Sequence, residues 1–100
     1  MKNLKISTGN PLDLKNSIND KISNNLISSW ELDSTGNIIS HKGGQYKNHF
    51  YFEYKLDLQK GILEFEYHSN GTSDFADSRS KQLLERMLES HFKNQIEIIK

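Results

Sequence analysis

Between residues 50 and 68 the chain alternates between apolar and polar positions. The even positions from 50 to 58 are apolar, as are the odd positions from 63 to 67, and mostly charged residues lie between them. This period of two is the pattern of an antiparallel hairpin that buries one face. The predicted core-facing residues of the hairpin are Phe50, Phe52, Tyr54, Leu56, Leu58, Leu63, Phe65 and Tyr67.

A tight turn at Lys60-Gly61 is predicted for this hairpin, because glycine readily adopts the positive φ that two-residue turns need. The turn would pair Tyr54 with Tyr67 on the core side and Asp57 with Glu64 on the outer side. The second pair is like-charged, so we expect both of its carboxylates to be hydrated.

Two amphipathic helices are predicted, one on each side of the strand-rich region. Asn10 is a suitable N-cap for the first, and Pro11 suits its first helical position. Apolar residues then recur at every fourth position from Leu14 to Leu26 and form one stripe. The second helix is predicted to begin at a cap formed by Asp77 or Ser78. Its predicted apolar set is Leu83, Leu84, Met87, Leu88 and Phe92.

Shorter alternating segments complete the predicted sheet. Residues 28–33 and 38–41 surround turn residues and predict a hairpin. A two-residue turn at Thr35-Gly36 would place Trp30 opposite His41, and a bulge at Ile38 is the alternative that leaves the register open. Leu4 and Ile6 indicate an opening strand, and Ile96 and Ile98 a closing one. The resulting order, (β)αββββαβ, predicts a single α+β domain over residues 1–100. We expect a two-layer sandwich in which a mainly antiparallel sheet of four to six strands carries both helices on one face.

Composition excludes several classes of protein. Hydrophobic residues make up 34% of the chain, too many for a disordered segment, and the absence of cysteine excludes disulfides and thiolate metal sites. The 13 basic and 13 acidic residues balance, which argues against nucleic acid as the partner.

The N-terminal residues lack an apolar run, so we expect a cytoplasmic protein with no membrane segment. Abundant Asn, Lys, Ile and Ser indicate a microbial, AT-rich genome, and no cofactor is predicted.

Acidic residues dominate the predicted outer face of the sheet, where Lys55 is the main opposing charge. Much of the positive charge falls instead on the second helix. Such segregation favours docking onto a basic protein, although an ordinary solvated face has the same pattern. Our leading hypothesis is a non-catalytic immunity protein or antitoxin that neutralises a basic, nuclease-like toxin. The predicted binding residues are Glu31, Asp33, Glu53, Asp57, Glu64 and Glu66.

Two other functions stay open. One is a metal-independent ribonuclease or toxin in which His41 and His49 act as general base and acid, helped by Tyr46 and Lys47. The other is a small-ligand or nucleic-acid binder that uses the loop 42–47.

A metal site can also be drawn on the predicted outer face. It would use the carboxylates of Glu53, Glu64 and Glu66 and the imidazole of His68. We do not predict a metal there, because side chains on an open sheet are expected to diverge and stay hydrated.

Overall fold

The protein is an α+β sandwich in which one antiparallel sheet of six strands carries both helices on the same face. The fold is seen in a computed structural model that describes residues 3–99. The strands follow the order β2-β3-β4-β5-β1-β6 across the sheet. This arrangement confirms the predicted fold class and element order. The elements are β1 (Leu4–Ser7), α1 (Pro11–Ser23), β2 (Trp30–Leu32), β3 (Ile38–His41), β4 (Phe50–Asp57), β5 (Ile62–Ser69), α2 (Asp74–Phe92) and β6 (Glu97–Ile99).

The core lies between the inner face of the sheet and the two helices. Phe52 and Phe65 are fully buried, and their rings meet edge to face at 6.5 Å between centroids. Trp30 lies opposite His41 as predicted, and its indole packs 6.2 Å from the Phe52 ring. Helix α1 lies over β2, β4 and β5, and α2 packs over β4. The aromatic residues of β4 therefore connect the sheet to both helices.

The predicted pairing of β4 with β5 is wrong by two residues. Tyr54 lies opposite Phe65 rather than Tyr67, and Asp57 lies opposite Ile62 rather than Glu64. The loop spans four residues, 58–61, because the Asp57 carboxylate accepts the N–H of Lys60 at 3.1 Å and holds a wider turn. A shift of two residues keeps each side chain on its predicted face, since side chains alternate with period two.

Two residues predicted to lie in the core are instead exposed. The side chains of Leu56 and Leu58 are 37% and 67% exposed, whereas Tyr54 is 2% exposed. With the wider loop, Leu58 falls in the loop itself, and Leu56 lies opposite Leu63 near the end of the ladder. Tyr67, also predicted to face the core, is half-buried.

Helix α1 begins as predicted but ends earlier. The Asn10 side chain accepts the N–H of Asp13 at 3.2 Å and caps the helix. The helix stops at Ser23 because Asn25 adopts a left-handed conformation, with φ of 60°. As a result Leu26, predicted to extend the apolar stripe, is 63% exposed, and Ile27 is buried in its place.

Helix α2 begins one turn before its predicted start. Its N-cap is Ser73, whose hydroxyl accepts the N–H of Ala76 at 3.1 Å, rather than Asp77 or Ser78. The Asp77 carboxylate instead accepts hydrogen bonds from the hydroxyls of Tyr67 and Ser69. These bonds tie the end of β5 to the first turn of α2. The second-helix apolar set is otherwise confirmed, with Leu84, Met87, Leu88 and Phe92 buried and Leu83 half-buried.

Gly61 is required in the β4–β5 loop for two separate reasons. Its φ of +65° lies in the left-handed region, and a Cβ added there would be 2.7 Å from the carbonyl oxygen of Thr8. The close approach exists because the Thr8 N–H donates to the Gly61 carbonyl at 2.9 Å. Gly71 shares the positive φ of +69° but has open space around it.

We expect Gly61→Ala to lower the free energy of unfolding by clearly more than Gly71→Ala does. Both variants incur the left-handed strain of about 1–2 kcal/mol, and only Gly61→Ala also pushes against the Thr8 backbone. Urea denaturation of the two variants measures the difference. Equal losses would show that the contact with Thr8 is relaxed without cost.

Phe52→Ala is expected to lower the free energy of unfolding by about 3–5 kcal/mol, because it leaves a cavity among buried rings. Tyr51→Ala should cost much less, since that ring lies on the outer face and stacks on His68. The midpoints of urea denaturation of the two variants test this difference. Similar midpoints for the two variants would contradict the assignment of faces on β4.

Candidate functional site

The six acidic residues predicted to bind a partner fall into two groups. Glu31, Glu53, Glu64 and Glu66 lie on strands and are all half-buried on the outer face, the side of the sheet away from the helices. Asp33 follows β2 in a turn, and Asp57 ends β4. The six residues therefore do not form one uniform surface.

Asp33 and Asp57 stabilise turns. The Asp33 carboxylate accepts hydrogen bonds from the Thr35 hydroxyl and from the backbone N–H groups of Asn37 and Ile38. Desolvation raises the pKa of the Asp33 carboxyl, but these hydrogen bonds together outweigh it and hold the pKa below its usual value. Asp57 closes the β4–β5 loop in the same way, through the N–H of Lys60. Both carboxylates already have a local role in the fold.

Glu53 and Glu66 lie directly opposite each other on β4 and β5. The imidazole of His68 lies between their carboxylates, with Nε2 at 2.9 Å from Glu66 Oε1 and 3.4 Å from Glu53 Oε1. Lys55 Nζ lies 3.7 Å from the other oxygen of Glu53. We call Glu53 and Glu66, together with Glu31 on β2 of the same face, the acidic patch.

The other end of the outer face carries compensating positive charge. Glu64 is paired with Lys5 on β1 and with Lys55 on β4, so a lysine lies on each side of it across the sheet. The side-chain amide of Asn3 also donates to Glu64 at 3.0 Å. Lys5 was missed as an opposing charge because the insertion of β1 beside β5 has no signal in the local sequence pattern. Glu64 therefore has a lysine as its cross-strand partner on each side, whereas Glu53 and Glu66 have each other.

The expectation that possible metal ligands diverge on the sheet is wrong for three residues. Glu53, Glu66 and His68 each offer one ligand atom, and these three atoms lie within 4.8 Å of one another. Carboxylate oxygen and imidazole nitrogen are ligands that divalent cations accept. The same distances describe an imidazole that bridges two carboxylates, so we assign no metal to this cluster.

His41 is held in a packing role. Its Nδ1 accepts the N–H of Gly43 at 2.9 Å, and its ring lies edge to face with both Trp30 and Tyr46. Burial lowers the pKa of His41, so the ring is neutral near pH 7 and carries its proton on Nε2. A Cβ at Gly43 would lie 2.9 Å from the His41 ring, which explains the glycine at that position.

The remaining residues of the ribonuclease hypothesis have other neighbours. His49 Nδ1 lies 2.6 Å from the Thr72 hydroxyl, whereas His41 faces Trp30. Tyr46 stacks on Phe75 of α2, with 5.9 Å between ring centroids. Lys47 is exposed, as is Lys42 at the start of the same loop. His41 and Tyr46 thus share a cluster, and His49 and Lys47 have separate surroundings.

Comparison with known proteins gives no match to this chain, whether with family models, curated proteins or solved structures. Within residues 3–99, neither helix is both long and apolar enough to cross a membrane. The function of the chain must therefore be argued from its own residues.

We expect His41→Asn to weaken the pH dependence of stability near pH 6.5. Because the folded-state pKa of His41 lies below 6.5, the unfolded chain takes up the proton first as the pH falls. The stabilisation from the neutral ring is complete above pH 6.5 and is lost as the pH falls through the folded-state pKa. Asn keeps an acceptor for the Gly43 N–H but does not titrate. As the pH falls, the wild type therefore loses free energy of unfolding that the variant does not lose, and the difference between the two should become smaller.

Urea denaturation above and below pH 6.5 measures this gap. His49→Asn, measured in parallel, controls for the loss of one imidazole. A gap between wild type and His41→Asn that is the same at both pH values would show that burial of the ring does not control its protonation.

Proposed function

We propose that the protein is a small non-catalytic binding module that docks a basic protein through the acidic patch. More specifically, we propose an immunity- or antitoxin-type inhibitor that neutralises a basic, nuclease-like toxin in the bacterial cytoplasm. The observation that carries the proposal is the pair of carboxylates, Glu53 and Glu66, directly opposite each other on an exposed sheet face.

A like-charged pair at opposite positions lowers the stability of a sheet, by about 0.2–1 kcal/mol. Glu53 and Glu66 are only partly compensated. The His68 imidazole lies between them, Lys55 Nζ is 3.7 Å from Glu53, and the Asn37 side-chain amide donates to Glu53 Oε2 at 3.3 Å. Departures from local stability rules are concentrated at functional positions in natural proteins. A cationic side chain of a partner placed against this pair would remove the repulsion and add attraction.

The surface beside the pair offers an aromatic contact. The rings of Tyr51 and His68 stack with 4.7 Å between centroids and an angle of 11°. Both side chains are half-buried on the outer face, so part of the Tyr51 ring is accessible. Tyrosine is enriched among the residues that contribute most of the binding energy at protein interfaces. Here Tyr51 adjoins the carboxylates that would steer the partner.

The class of partner follows from the charge of the acidic patch. Proteins that hold nucleic acid present clusters of Lys and Arg to the phosphates. An acidic surface on a rigid sheet can occupy such a cluster and exclude the phosphate backbone. Complementary charge also accelerates association, which suits an inhibitor that must capture a toxin before it acts in the cytoplasm.

We expect the double variant Glu53→Gln, Glu66→Gln to keep or slightly raise the free energy of unfolding while it slows association with the partner. Removal of the cross-strand repulsion accounts for the first effect, and loss of electrostatic steering for the second. The salt dependence of the association rate should also flatten, since charges are screened over about 8 Å at physiological salt. The partner is first captured from the native host, and stopped-flow kinetics at two salt concentrations then give the rates.

The matched control is Glu85→Gln, Glu89→Gln on α2, in the opposite layer of the protein. This variant changes the net charge by the same amount and should leave the association rate close to that of the wild type. An equal loss of association rate in both double variants would show that net charge, and not the acidic patch, causes the effect. Capture of an acidic partner, or a wild-type rate and salt slope for Glu53→Gln, Glu66→Gln, would contradict the proposal.

A further inference from the structure

A cleft lies on the helical side of the sheet, on the opposite face from the acidic patch. It has a volume of about 280 Å³ and opens between the segment 26–30 and the last three turns of α2. Binding pockets for small molecules span roughly 300–1,000 Å³. The cleft is therefore at the small end of that range, too small for a nucleotide cofactor and large enough for a single ring with one substituent.

The floor and one rim of the cleft are apolar. The floor contains Trp30 and Met87, which are 2% and 6% exposed. Leu26 stands on the rim and is 63% exposed because α1 ends before it. An indole, a thioether and a leucine side chain together favour a flat apolar group.

The polar side chains around the cleft can all donate hydrogen bonds, and one of them, Arg86, carries a positive charge. Arg86 lines it, none of its lining residues is acidic, and within residues 3–99 the Arg86 guanidinium makes no hydrogen bond or ion pair. Ser28 and Ser90 add hydroxyl groups to the lining. His41 also lines the cleft, and because its Nδ1 is occupied by Gly43, its Nε2–H is the donor left on the ring.

The end of α2 does not cancel this positive character. The carbonyl groups of a helix C-terminus carry partial negative charge, which disfavours an anion. At this helix end Lys21 of α1 donates from Nζ to the carbonyl oxygen of His91 at 3.3 Å. The same ammonium lies 4.6 Å from the centre of the Phe92 ring. A fixed cation thus offsets the negative helix end beside the cleft.

We propose that this cleft binds a small organic carboxylate with a flat apolar body. The carboxylate is bound by Arg86, with the serine hydroxyls and His41 Nε2–H as further donors. The apolar body lies against Trp30 and Met87, under the rim formed by Leu26. Neither the acidic patch nor its partner takes part in this binding.

Trp30 is the single tryptophan of the chain, so its fluorescence reports directly on the cleft. Benzoate serves as the probe, and benzamide is its uncharged analogue of nearly the same shape. We expect a saturable change in Trp30 fluorescence with benzoate and at least about 10-fold weaker binding of benzamide, because hydrogen bonds to a charged group are stronger than those to a neutral one. Absence of a saturable change with benzoate, or equal affinities for the two probes, would overturn the proposal.

Arg86→Gln tests the position of the anion. This variant should bind benzoate at least about 10-fold more weakly and benzamide with the wild-type affinity. Arg79→Gln is the matched control, because it removes the same charge from the same helix at a residue that lies over the Phe75 ring and does not line the cleft. Equal weakening in both variants, or unchanged benzoate affinity in Arg86→Gln, would remove Arg86 from the site and overturn the assignment.

Discussion

The ladder between β4 and β5 is the constraint on which the rest of the structure depends. It joins two strands of eight residues each, and every side chain of these strands points to one face of the sheet or to the other. The inward residues include Phe52 and Phe65, against which the helices pack. The outward residues include Glu53 and Glu66, which form most of the acidic patch. One pair of strands thus supplies both the centre of the core and the charged surface.

The sequence predicts the faces of this ladder more reliably than its pairing. Alternation depends on the period of the side chains, which is unchanged when the strands slide by two residues. The pairing depends on the length of the loop. The Asp57 carboxylate stabilises a loop of four residues, whereas Gly61 alone had indicated a turn of two residues. The same distinction explains the hairpin of β2 and β3, whose turn residues predict the correct pairing of Trp30 with His41.

Helix starts were predictable only where a local signal selects one cap among several. Pro11, which suits the first helical position, singles out Asn10 from the Ser and Thr residues before it, and Asn10 was identified correctly. Before α2, several residues can cap a helix, and the choice of Ser73 over Asp77 follows from the contact between Asp77 and β5. That contact joins distant parts of the chain, so local pattern cannot show it.

The candidate sites show the same limit. Glu53 and Glu66 were placed on one face from their alternation, but their position directly opposite each other follows from a pairing that was predicted wrongly. Lys5 was missed because the position of β1 in the sheet is a tertiary property. The cleft was missed for a similar reason, although Leu83, Arg86, Met87, Ser90 and His91 have the spacing of one helical face and could have been recognised as a shared surface.

Within residues 3–99, the two outermost strands of the sheet, β2 and β6, have three residues each. Each edge therefore offers only a few unpaired backbone groups on which another polypeptide could extend the sheet. Short edge strands are one way in which β proteins avoid joining edge to edge in solution. Addition of a strand to β2 or to the described part of β6 is correspondingly disfavoured, which favours recognition through the side chains of the broad faces.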